Sequence, residues 1–147
     1  MALALGLRTA LLGARRPRDH VGAVGLLAIA AFVASLGGYL ARLYEPTGGV
    51  LLVPFWAAVV AVAGGAVAGL ARTGLPSAVL FAVAAMLGFG VDDAFLDGGT
   101  VVEGLTYLLR PNVVGALGVL AALFGGVGFI FGTTVWGAGE VGRRAVA

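Results

Sequence analysis

The chain has no cysteine. Disulfides, thiolate nucleophiles, cysteine-ligated zinc and iron–sulfur clusters are therefore excluded. It has no lysine either; all nine basic residues are arginine. Charge of both signs is scarce: 11% of the 147 residues are charged, against about 25% in an ordinary soluble domain. Serine is confined to Ser35 and Ser77, and His20 is the only histidine. A Ser-His-Asp set cannot be assembled from these. His20 lies beside Asp19 with no second strong ligand at its depth, so it reads as a solvated interfacial residue. No cofactor and no metal is expected.

What is abundant is apolar. Hydrophobic residues make up 61% of the chain, and 26 positions are glycine. A soluble chain of this composition could not cover its own surface. The run from Pro46 to Ala71 carries no charge at all. A helix needs about 20 apolar residues to cross the roughly 30 Å hydrocarbon core of a bilayer. Within that run Ala57, Ala61, Gly65 and Gly69 fall four apart, so they stack on one helix face. Small side chains let a second helix approach closely, which is how membrane helices associate.

The same criterion yields four spans, at about 21–43, 50–71, 76–95 and 112–136. Loop punctuation at Glu45-Pro46-Thr47-Gly48-Gly49 and at Arg72-Thr73-Gly74 separates the first three. The second connection is short, so spans two and three are expected to be antiparallel neighbours. Span four offers a second small-residue row, Gly118, Ala122 and Gly126. Spans two and four each carry a Gly-Gly pair, Gly64-Gly65 and Gly125-Gly126. The expected fold is an all-α membrane protein, one domain over residues 1–147. It is a four-helix transmembrane bundle with short amphipathic interfacial helices.

Two segments fit the interfacial role. Residues 2–14 carry Leu3, Leu7 and Leu11 on one side; they suit a surface helix or a basic tail without fixed structure. Their charges follow the apolar stretch, the reverse of a secretory signal. Residues 100–110 place Val101, Leu105, Leu108 and Leu109 on one face and Glu103, Thr106 and Arg110 on the other. Tyr107 is expected near the headgroups.

Arginine placement sets the orientation. Arg8, Arg15, Arg16, Arg18, Arg72, Arg143 and Arg144 fall on one side of the spans, and only Arg42 and Arg110 on the other. The positive-inside rule then puts both termini in the cytoplasm of a multi-pass protein of the cell membrane. The excess of arginine thus reports topology, and no nucleic acid is expected as a partner.

An ionisable residue inside a membrane is costly and marks function by default. None lies in the middle of any span, which disfavours proton-coupled pumps and exporters of cationic solutes. Asp92, Asp93 and Asp97 could offer oxygen to a hard cation, but their spacing matches no EF-hand loop. Solvated loop charge, or pairing with Arg110, explains them better. Glycine patterns such as Gly65-x-x-x-Gly69 lie inside spans with no preceding strand, so they do not cradle phosphate. The expectation is a non-enzymatic accessory or structural subunit packing through its small-residue faces. Its partners would be the lipid bilayer and either its own copies or another membrane protein. The alternative is a small channel or facilitator, with Thr133 and Thr134 bordering a narrow pore.

Overall fold

A computed structural model describes residues 21–42, 54–95 and 100–146. All regular structure among them is helical: α1 (Val21–Leu40), α2 (Phe55–Leu70), α3 (Leu75–Phe95), α4 (Val101–Leu108) and α5 (Pro111–Val146). The expected surface helix at 2–14 and the start of the second span lie outside these residues.

Among the described residues three helices are long and apolar enough to cross a membrane: α1, α3 and the Pro111–Glu140 part of α5. The fourth expected span is shorter. α2 has 16 residues, about 24 Å at 1.5 Å per residue. Pro54 sits at its N-cap, before the first helical residue. α5 departs in the other direction. It runs for 36 residues, past the expected end at Trp136. Gly137 and Gly139 did not stop it, because glycine inside a helix costs only about 1 kcal/mol and no proline follows.

The four longer helices form a rhombus. α2 and α3 pack against each other along the short diagonal, and each also touches α1 and α5. α1 leans mainly on α3, α5 mainly on α2, and α1 and α5 do not meet. Successive helices run antiparallel, so Gly64 of α2 faces Phe81 of α3. The pairs α1 with α3 and α2 with α5 are therefore parallel.

The core is built from small residues. Ala57, Ala61, Ala82, Ala85, Met86 and Ala121 form one buried cluster, and Ala28, Ala68, Ala78, Phe81 and Phe129 a second. Large apolar side chains point outward instead, among them Leu26, Ile29, Val33, Val119, Leu123, Ile130 and Phe131. A water-soluble fold shows the reverse order.

The α2–α3 turn is a Schellman motif. The Thr73 N–H donates to the Ala68 carbonyl at 3.1 Å and the Arg72 N–H to Gly69 at 3.2 Å. Its left-handed position, where glycine is usual, is held by Arg72 at φ 58°;. The guanidinium lies 4.4 Å from the centre of the Trp136 ring. A cation at a helix C-terminus and over an indole face is favourable on both counts.

Ser35 breaks an expectation. A serine in a helix usually bonds to the preceding turn, but its buried hydroxyl has no hydrogen-bond partner among the described residues. It faces Gly88 of α3, where an added Cβ would lie 2.8 Å from the Ser35 Cβ. An unpaired buried hydroxyl costs about 1–3 kcal/mol. Ser35→Ala is therefore expected to leave thermal stability in detergent unchanged or to raise it. A clear fall in Tm would mean that the hydroxyl is paired in the membrane.

Candidate functional site

The contact between α2 and α5 is the closest approach of two long helices in the fold. A Cβ added at Gly65 would lie 2.5 Å from the Gly125 carbonyl oxygen and 3.1 Å from the Phe129 nitrogen. One at Gly69 would lie 2.5 Å from the Phe129 carbonyl oxygen. From the other side, a Cβ at Gly128 or Gly132 would run into the carbonyls of Val62 and Ala66. Backbone thus rests on backbone along two turns. Glycine is required here for space, since any side chain would hold the helices apart.

The sequence-derived packing residues separate into two groups. Ala57, Ala61, Gly65 and Gly69 are all buried. Gly118 and Ala122 are exposed, and nothing lies within 4 Å of a Cβ built at Gly118 or Gly126. Within the chain, α5 meets α2 through Gly128, Gly132 and the Gly125 carbonyl instead, while the open side of Gly125 faces Ala78 and Ala82 of α3. The two Gly-Gly pairs do come together, since Gly65 lies on Gly125. Spacing of four is satisfied by several rows on a helix this rich in glycine. Only the position of the partner helix selects one of them.

Beside this contact an open apolar groove of about 520 Å³ runs between α2 and α5, walled by Phe55, Val59, Val62, Ala66, Phe124 and Phe131. It contains no group that could bind or activate a polar substrate. Thr133 and Thr134 do not supply one. Their hydroxyls donate to carbonyls of their own helix, Thr133 to Phe129 at 3.0 Å and Thr134 to Ile130 at 2.8 Å. No group of three or more metal-binding side chains occurs among the described residues.

Polar contacts gather at the ends of the helices. At one end the first turn of α2 lacks a side-chain cap of its own. The Tyr39 hydroxyl of α1 accepts the Ala57 N–H at 3.2 Å and supplies it. The Trp56 indole N–H donates to the Ala34 carbonyl at 3.0 Å. The bare backbone of Gly38 makes room for that ring. Tyr39 also packs on Phe89, ring centroids 5.3 Å apart. At the sequence level Tyr39 reads as a headgroup-zone aromatic; its position inside the helix contacts follows from the cap.

The same end carries α4. Thr100 and Glu103 form a capping box: the Glu103 N–H donates to the Thr100 hydroxyl at 3.3 Å, and the Thr100 N–H to the Glu103 carboxylate at 2.8 Å. The Thr-x-x-Glu spacing that announces this is a local signal in the sequence. The bonds from the Thr100 N–H and hydroxyl hold the Glu103 carboxyl below its ordinary value of 4.5. A depressed carboxyl stabilises above its unfolded value and stops doing so as pH falls through the folded one. Acidification through and below the carboxylate range is thus expected to lower the protection of amides in the first turn of α4, read as the exchange rate relative to the intrinsic rate at the same pH. Glu103→Gln, which can still close the box, should remove that pH dependence; protection unchanged by pH in the parent chain would refute the cap.

The expected pairing of Asp93 with Arg110 is not made among the described residues. The Asp93 carboxylate accepts the Tyr107 hydroxyl at 2.7 Å, and the Arg110 guanidinium stands 5.6 Å from the Tyr107 ring centre. The bond to Asp93, more than burial, raises the phenol above its ordinary value. Its stabilising effect therefore holds below pH 10 and is lost only as pH rises through the elevated value.

These features define an all-helical protein with three helices apolar and long enough to cross a membrane. No family model, curated protein or solved structure matches the chain.

Proposed function

We propose that the chain is a multi-pass integral membrane protein of four membrane helices, both termini cytoplasmic, serving as a non-enzymatic structural or accessory subunit. The observation that carries this reading is how its surfaces are used. The interior is spent on glycine and alanine contacts, while the large apolar side chains of α1 and α5 face outward. Such a surface suits lipid or another membrane helix. α2, shorter than the other three, completes the count of four. The Arg72–Trp136 stack fits the cytoplasmic interface, where arginines and tryptophans concentrate.

The competing reading, a channel or facilitator, needs polar groups along a common path. Its candidates Thr133 and Thr134 donate to carbonyls of α5 and do not line the groove between α2 and α5. The deciding experiment is recovery of the tagged chain from its native membrane in mild detergent, read by mass spectrometry and native mass. A stoichiometric partner supports the subunit reading. A lone homo-oligomer favours the facilitator and calls for flux assays in liposomes. Recovery in the soluble fraction without detergent would overturn both.

A further inference from the structure

The eight residues of α4 divide into three sides. Gly104, Tyr107 and Leu108 face the other helices: Gly104 lies against the Phe95 ring, Tyr107 binds Asp93, and Leu108 sits over Gly90. The sequence pattern groups Leu108 with the free apolar face, but the void left by Gly90 draws it inward. Glu103 and Thr106, with Arg110 just beyond the helix, form an exposed polar side. Val101, Val102 and Leu105, with Leu109 at the C-cap, form the third side, exposed by 67%, 73%, 52% and 73%. Four large apolar side chains in one unbroken strip are a costly surface to leave in water, at about 25 cal/mol per Å².

We propose that this strip is buried in the headgroup–acyl boundary of the lipid surface, and that the Asp93–Tyr107 bond fixes its depth. The lipid is chosen over a protein partner for two reasons. The apolar and polar sides of α4 are cleanly separated, as they are in helices lying in an interface. Val114 and Val119, which follow the strip in the chain, are exposed apolar side chains as well, in the stretch of α5 that would cross the membrane. With Gly104, Tyr107 and Leu108 tied to α3, α4 cannot roll, so its depth is set by the other helices. α4 then marks one membrane surface for the whole chain. The inference rests on the membrane-spanning reading above.

The absence of cysteine makes a direct test possible. Val102→Cys, Thr106→Cys and Val119→Cys each give a single thiol on the full chain for an environment-sensitive fluorophore. The labelled proteins are reconstituted into phosphatidylcholine vesicles. Quenching is compared between nitroxide-labelled lipid and an aqueous quencher present on both sides. Position 102 is expected to show blue-shifted emission and loss of intensity with the lipid quencher. Position 106 is expected to respond to the aqueous one. If 102 is as open to water as 106, or is shielded from both quenchers because protein covers it, the proposal falls. Position 119 separates the two readings. Lipid quenching at 119 without quenching at 102 overturns only the role of α4, whereas its loss at 119 overturns the membrane-spanning reading. Adding Tyr107→Phe should narrow the contrast between 102 and 106 while leaving 119 unchanged. An undiminished contrast would remove the hydrogen bond from the account.

Discussion

Replacing Gly65 by leucine is expected to deplete the folded protein in detergent, while the same change at Gly118 leaves it nearly intact. Both are glycines in apolar helices, and leucine has the better helix propensity. Local preference therefore predicts a small gain at each. The difference comes from what the new side chain would meet. At Gly65 the first carbon already stands 2.5 Å from the Gly125 carbonyl oxygen, while at Gly118 there is nothing within 4 Å. A flexible side chain could yield, but the opposing atoms at Gly65 are backbone. Overpacking of a core commonly costs about 1–3 kcal/mol, and more where the neighbours cannot move. The expected loss at Gly65 lies at or above the top of that range. Thermal unfolding and size-exclusion profiles of the two variants would check it. Equal behaviour would show that α2 and α5 do not rest on each other through this face.

The second large effect is expected from Tyr39→Phe. The substitution keeps the ring beside Phe89 and removes one oxygen. That oxygen accepts the Ala57 N–H in the first turn of α2. The first four N–H groups of a helix have no partner within it. A proline at the N-cap offers no side-chain acceptor. Orphaning such a donor in a buried setting costs about 1–3 kcal/mol. The variant is expected to lower the unfolding temperature and to speed exchange of the amides at the start of α2. Val33→Ala, at an exposed site on the same helix, is the control and should change little. An unaffected Tyr39→Phe chain would mean that water or the preceding segment caps α2 instead.

These two residues show different degrees of legibility. The row Ala57, Ala61, Gly65, Gly69 can be read directly, because spacing of four always places residues on one face. All four are buried in the structure. The cap by Tyr39 could not be read, because it joins residues 18 apart on separate helices. Asp93 and Tyr107 are 14 apart and meet only because α4 packs against the end of α3. The capping box of α4 is the opposite case, a local signal open to a closer reading.

The sequence by itself determined that the chain is helical and where its uncharged runs lie. It also set on which connections the arginines fall. Composition and a period of 3.6 residues act locally and need no partner. It also specified that small residues recur at contact spacing. Which of them touch was decided by the tertiary structure. α5 carries Gly118, Gly126, Gly128 and Gly132, and every row among them obeys some helical spacing. The seating of α5 on both α2 and α3 selects Gly128 and Gly132 for contact with α2 and Gly125 for contact with α3, and leaves Gly118 open. The physical reason is that a glycine contact is a property of two backbones, and one helix alone contains only half of it.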